Sequence, residues 1–320
     1  MSNSLPWSNI RKPDEGYQRR LASTQSIVPV FWGKNPQSQN LLIIELNGDY
    51  SGHFKQTDLS VRGMTVDLRL IERTQVIVIT LEEQVNSDLF YSFCRSLIIA
   101  LEAATDPSTA PGIASKHIER WRLFLSGRSK HRLSDEEVRG LFGELWVLRQ
   151  LFNYMGDAAE AISAWCGPDN VHQDFIFRDT AIETKTLSGR ERSSVRISSE
   201  DQLETLSDRL YLSVLRLVTT SERSSHAFSL NELVHIIENE LADAVTLDEF
   251  CRKISSIGYF ELPDYDEPFF IVANQQFYHV KEDFPRLARS ELPDGITRVS
   301  YNIRLETIES YKCSEKEVWF

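Results

Sequence analysis

Apolar and polar residues alternate through most of the first hundred positions. Ser26–Trp32, Asn40–Leu46, Val61–Ile71 and Thr74–Leu81 carry the period-two pattern of strands, broken by Gly-Lys-Asn-Pro, Asn-Gly-Asp and Arg-Gly turns. A helical period follows over Asp88–Ala104, so this opening part reads as a mainly antiparallel β module. Thr105–Gly112 holds two prolines and a glycine among small residues and reads as a linker. Ser134-Asp135-Glu136-Glu137 is a capping box, after which Val138, Leu141, Phe142, Leu145, Leu148, Phe152 and Met155 recur at helical spacing. Val171–Phe177 and Ala181–Leu187 alternate on either side of the turn-like Arg178-Asp179-Thr180, which predicts a hairpin. Ser194–Ser198 and Arg209–Val218 read as further strands around a short helix. Leu230–Leu241 and Leu247–Ile257 read as two short helices, with strands at Pro268–Val280 and Ile296–Thr307. The order of elements predicts an α/β (α+β) architecture, a mixed sheet flanked by helices with the β module in front of it. It divides the chain into 1–110, 111–225 and a C-terminal helix-plus-strand extension, 226–320, packed on the core.

Composition narrows the class. With 320 residues, 41% of them hydrophobic, the chain can bury a substantial core. No apolar run approaches the roughly 18 residues of a membrane span, and the N-terminus lacks the apolar region of a signal peptide. Cys94, Cys166, Cys251 and Cys313 are far apart with no C-x-x-C pair, which argues against a zinc site or a disulfide scaffold and fits a reducing cytoplasm. No internal repeat, Walker A loop or G-x-G-x-x-G fingerprint is present, so the chain has no ATP-driven motor of its own. The net charge of −12 opposes nucleic-acid binding by the molecule as a whole, because phosphate neutralisation supplies most of that affinity. Charge is local, however. Lys116–Arg132 carries six Lys or Arg, among them Arg128, Lys130 and Arg132, against the single acid Glu119, with His117, His131 and Trp121 interleaved. That stretch is either a phosphate-tracking surface or a solvated helix face.

The hairpin carries the candidate chemistry. Residues two apart in a strand share a face, so Glu183 and Lys185 point the same way, and a two-residue turn at Arg178-Asp179 sets Asp174 opposite Glu183. Two carboxylates and an ammonium then converge. Paired carboxylates supply hard oxygen ligands for Mg²⁺, with Mn²⁺ as a substitute, and a nearby lysine orients a water or neutralises charge on a phosphate. In this reading Asp174 and Glu183 bind the metal, the Thr184 carbonyl is a further ligand, and Lys185 positions the attacking water. Glu144 falls at the border of the apolar stripe of its helix, where a carboxylate needs a metal or Lys185 beside it unless it bends out to solvent. Without such a site, Asp174, Glu183 and Lys185 would be a solvated, salt-bridged sheet face of little energetic worth. His172 shares the face of Asp174 and is either a substrate contact or a surface group. Arg190, Arg192 and Arg196, in and after the loop that leaves the Lys185 strand, either grip phosphates or form an ordinary basic loop.

Taken in order, Gly140-Leu141-Phe142-Gly143-Glu144-Leu145, Ala164-Trp165-Cys166-Gly167-Pro168, Asp174, Glu183-Thr184-Lys185 and Val195–Leu203 resemble the PD-(D/E)xK nuclease superfamily. The resemblance is to a bacterial family associated with restriction-modification and phage-defence gene clusters. Gln173 stands where the motif has proline. The resemblance implies a restriction-endonuclease-like fold, a helical acid at Glu144 that completes the metal site, and Gln202 beside that site. It also implies a DNA substrate, a methyltransferase or ATPase subunit of a defence system as partner, and a dimer or two sequential nicks where both strands are cut. The alternatives are a non-catalytic DNA- or partner-binding subunit of the same fold and a nuclease of repair or recombination.

Overall fold

The computed structural model describes residues 5–46, 48, 64–71, 74–82, 87–126, 132–169, 171–189, 193–204 and 207–319. Contacts divide the chain into two compact units, one reaching Arg132 and including Ser255–Pro263, the other comprising Leu133–Ile254 and Asp264–Phe320. The boundary therefore falls about twenty residues beyond the expected linker. Thr105–Gly112 is instead a helix start: the Asp106 side chain accepts the Ser108 N–H at 2.9 Å, Pro107–Thr109 form a 3₁₀ turn, and helix continues from Ala110.

In the first unit β1 (Gln18–Leu21), β2 (Val30–Lys34), β3 (Asn40–Leu46), β4 (Met64–Ile71) and β5 (Thr74–Leu81) form an antiparallel sheet in the order β1-β2-β3-β5-β4. The β character expected here is present, with β1 as an unforeseen edge strand. One face lines up Trp32, Leu42 and Ile79 across neighbouring strands, and α1 (Ser87–Ala103) packs over it, bringing Tyr91 to 5.9 Å from Trp32. α2 (Ala110–Ser126) buries Ala114, Ile118 and Trp121, and Trp121 lies 5.0 Å from Phe93 of α1. The returning segment Ser255–Pro263 places Phe260 4.9 Å from Trp121 and 5.2 Å from His117.

The second unit is built on a mixed sheet in the order β12-β10-β9-β7-β6, flanked by helices: α3 (Asp135–Met155), α4 (Ala158–Ala164), α5 (Leu230–Glu240) and α6 (Ala244–Ser256). Its strands are β6 (Phe175–Phe177), β7 (Thr180–Ser188), β9 (Arg209–Thr220), β10 (Phe269–His279) and β12 (Lys312–Cys313). A separate two-stranded ribbon joins β8 (Ser194–Ile197) to β11 (Tyr301–Arg304). β7 and β9 run parallel, and β9 and β10 pair along nearly their whole length, so residues after 226 supply a strand of the main sheet itself. The predicted hairpin forms with Phe175 opposite Ile182 and Phe177 opposite Thr180, leaving Arg178-Asp179 as its two-residue turn; Arg178 adopts the positive φ of 50° that such turns demand. The predicted helix start is also present, with Ser134 and Glu137 in a reciprocal capping box. Among the described residues no helix is long and apolar enough to cross a membrane.

Candidate functional site

The site grows from a break in an apolar row. On one face of β7, Ala181, Glu183, Lys185 and Leu187 stand beside Leu210, Leu212 and Val214 of the parallel β9, and all but Glu183 and Lys185 join the hydrophobic core. Two charged residues in such a row cost stability unless something pairs with them. β6 covers β7 only as far as Ile182; beyond it the Asp174 carboxylate takes the place of a strand partner and accepts the Thr184 N–H at 2.7 Å. The Asp174 carbonyl accepts the Cys166 and Gly167 N–H groups at 2.7 and 3.1 Å, which fixes the residue at the rim of the sheet. Lys185 Nζ lies 2.7 Å from Glu183 Oε1, the ion pair that partners this buried carboxylate, while Glu183 Oε2 has no hydrogen-bond donor among the described residues.

Glu144 reaches the same place from α3. Its Oε2 accepts the Trp165 indole N–H at 2.9 Å, and a Cβ on Gly167 would come within 2.6 Å of that oxygen, so a side chain there would displace the carboxylate that the glycine leaves room for. Gly143 has the same meaning one residue earlier: a side chain there would overlap the Thr186 methyl of β7, and its absence lets the helix approach the strand. Behind them Lys253 of α6, itself buried, donates to the Trp165 carbonyl at 2.5 Å and to Asp169 at 2.9 Å.

Gln202 accepts Lys185 Nζ at 3.2 Å and the Ser198 N–H at 2.8 Å on the same Oε1, two donors that fix which end of the amide is oxygen. The turn that carries Gln202 is held in its own turn by Gln173. That buried amide donates to the carbonyls of Asp201, Gln202 and Glu204 at 2.9, 3.3 and 2.8 Å. Glutamine in place of the motif's proline thus has a task, anchoring the segment that orients the lysine.

A cleft of about 470 Å³ collects Glu144, Asp174, Glu183, Thr184, Lys185, Gln202 and Arg196. Arg139, Ser194, Ser198 and Asn302 also line it, and no periodicity singles them out in the sequence, because only the tertiary fold brings them to the site. His172 is not among the lining residues; its side chain is 62% exposed, with Nδ1 3.9 Å from Asp201. Arg190, Arg192, Arg128 and Lys130 lie outside the described residues. Arg132 is exposed and belongs to the first unit. Within the basic stretch, His117 and Trp121 are core residues rather than surface residues.

Burial and crowding raise all three carboxylates. Burial and then the Asp174 charge push Glu183 up to about 8 from 4.5. Burial, with Asp174 again adding to it, holds Glu144 well above the usual carboxylate range. Asp174 is raised by burial, an effect partly offset by Lys185 and the Thr184 N–H. Burial opposes the Lys185 charge, but Glu183, Asp174 and Glu144 outweigh it and raise its pKa. Among the described residues no three His, Cys, Asp or Glu side chains are already arranged as a metal cage. The donor set nonetheless fits a divalent cation: Asp174 and Glu183 bring buried carboxylate oxygens to one cleft, Glu183 Oε2 has no donor among the described residues, and the raised carboxylates would be relieved by positive charge.

A family model described as "Putative PD-(D/E)XK family member" (DUF4420) matches residues 3–306. No curated protein and no solved structure matches the chain.

Proposed function

Because the chain belongs to this PD-(D/E)XK family, we propose that it is a Mg²⁺-dependent endonuclease hydrolysing DNA phosphodiester bonds, with Mn²⁺ able to substitute, in restriction or defence against foreign DNA. The observation that carries the reading is Glu183: a buried carboxylate paired with Lys185 at 2.7 Å, on the wall of the cleft that also holds Asp174. Asp174 and Glu183 would hold the cation. The Thr184 carbonyl would join them, since a strand residue's carbonyl leaves from the same edge as the N–H that Asp174 accepts. When bound, the cation supplies Lewis-acid stabilisation of charge on the scissile phosphate. Lys185, steadied by Gln202, donates a hydrogen bond to the attacking water or to a phosphoryl oxygen. Glu144, steadied by Trp165, would add to Glu183 and Asp174 in holding Lys185 protonated once a bound cation lets it ionise. A methyltransferase or ATPase subunit would supply what the chain lacks in motifs, and a second copy would cut the opposite strand.

The test combines metal binding with cleavage. Mg²⁺ or Mn²⁺ is expected to raise Tm, by about 2.7 kcal/mol of stability at a hundredfold excess over Kd, and Asp174→Ala and Glu183→Ala are expected to lose most of that gain while remaining folded. Lys185→Ala is expected to cost about a hundredfold or more in DNA cleavage with affinity little changed. Equal metal stabilisation in wild type and both carboxylate variants would exclude the metal assignment. One observation favours a second reading, a non-catalytic binding subunit: Lys185 is already engaged by Glu183 and Gln202. That reading prevails if metal binds yet the protein, with its partners present, cleaves no DNA.

A further inference from the structure

The β8–β11 ribbon has two unlike faces. Val195, Ile197 and Ile303 point inward and are buried in the core, while the alternating residues Ser194, Arg196, Ser198, Asn302 and Arg304 point the other way. Antiparallel register sets Asn302 beside Arg196 and Arg304 beside Ser194, so four polar side chains form one contiguous patch drawn from segments a hundred residues apart. Ser194, Arg196, Ser198 and Asn302 line the cleft, and Arg304 extends the row beyond it. Arg196, Asn302 and Arg304 are exposed, and among the described residues their side chains have no hydrogen-bonding or ionic partner.

The charge pattern says what this face would hold. The cleft is lined by the acids Glu136, Glu144, Asp174 and Glu183 and the cations Arg139 and Lys185, and the chain as a whole carries −12, so the exposed Arg196 at its edge and Arg304 just beyond add positive charge along one side of an acidic site. A polyanion seated in the cleft lies beside Arg196 and Asn302, and guanidinium groups suit phosphate oxygens geometrically as well as electrostatically. We propose that the outward face of the β8–β11 ribbon grips the DNA backbone beside the scissile phosphate, Arg196 and Arg304 neutralising flanking phosphates and the Asn302 amide hydrogen-bonding between them. The proposal rests on the nuclease reading and assigns β11, contributed from near the end of the chain, to substrate binding.

Full-length protein is titrated into a fluorescently labelled DNA duplex with Ca²⁺ in place of Mg²⁺, over a series of salt concentrations. Arg196→Gln and Arg304→Gln are each expected to weaken binding and to reduce the slope of log K against log salt by about one, the loss of roughly one phosphate contact. Asn302→Ala is expected to weaken binding several-fold at unchanged slope, because no charge is removed. All three positions are exposed, and an unaltered Tm establishes that the variants are folded. Unchanged affinity and slope in Arg304→Gln overturn the proposal, as does failure of the wild-type protein to bind the duplex at low salt. Metal-dependent Tm separates the two readings: if wild type gains stability from Mg²⁺ while the ribbon variants bind DNA like wild type, the ribbon assignment fails and the nuclease reading stands. If Mg²⁺ has no effect but the slopes fall as expected, the nuclease reading fails and the ribbon remains a DNA-binding face.

Discussion

Glu183 lies in the core row of β7, and although Lys185 sits 2.7 Å away its carboxyl is pushed up to about 8 by desolvation and then by Asp174. The folded-state pKa thus exceeds the ordinary 4.5. Such a group favours folding most at pH values below its unfolded pKa, and that contribution is lost as pH rises through the folded value. Metal-free protein should therefore lose stability in its second unit between about pH 4.5 and 8, each unit of pKa shift corresponding to roughly 1.4 kcal/mol. A bound cation should reverse the trend. Glu183→Gln keeps the shape and removes the charge, so in EDTA at pH 8 its Tm is expected several degrees above wild type, with the response to Mg²⁺ lost. A lower Tm for Glu183→Gln under those conditions would mean that the ion pair with Lys185 outweighs the burial of the carboxylate. A residue that weakens the empty fold is then useful to the filled site.

At the level of elements, α3 carries two glycines whose meanings differ. A Cβ at Gly143 would overlap the Thr186 methyl, whereas nothing lies within 4 Å of one at Gly140. Gly143→Ala must push helix and strand apart and is expected to cost about 1–3 kcal/mol. Gly140→Ala only removes unfolded-state freedom from a helix interior and is expected to stabilise by roughly 0.5–1 kcal/mol. Chemical denaturation of the two variants checks the sign of each. The same elements show how far sequence reaches. The Asp174–Glu183 hairpin was legible because alternation and a two-residue turn fix register locally, and the start of α3 because a capping box is a four-residue signal. β1 was not legible, since all four of its residues are exposed at a sheet edge and leave no hydrophobic pattern. The linker reading of Thr105–Gly112 failed because Pro107 and Gly112 occupy a capped 3₁₀ turn and the first helical turn, where both are tolerated. The true signal was the stripe Ala110, Ala114, Ile118 and Trp121, buried at helical spacing. Asn302 and Lys253 required the tertiary fold: Asn302 reaches the cleft and Lys253 the loop behind it from distant elements, and no local pattern sets either apart.

For the whole molecule, the division into two units makes stability a sum of separate responses. The first unit buries His117 among Phe93, Phe260 and Trp121, with Nε2 2.8 Å from the Ser96 hydroxyl, and desolvation lowers its pKa to about 4 from 6.5. A histidine kept neutral in the folded state is fully compatible with folding above its unfolded pKa. As pH falls from 6.5 toward 4, the unfolded chain takes up a proton that the folded one resists, and on the order of 3 kcal/mol is lost. The second unit, metal-free, behaves the opposite way because Glu183 and its neighbouring carboxylates are raised. Calorimetry in EDTA should therefore resolve two transitions, one that moves to lower temperature on acidification below pH 6.5 and one that moves to lower temperature as pH rises toward 8. His117→Phe, which fits the surrounding aromatic rings and leaves the Ser96 hydroxyl bonded to the Phe93 carbonyl at 3.0 Å, should flatten the first trend alone. Glu183→Gln should flatten the second alone, and Mg²⁺ should raise only the transition that responds to Glu183→Gln. A single transition shifting in one direction with pH, with both substitutions acting on it alike, would show that the two units unfold as one.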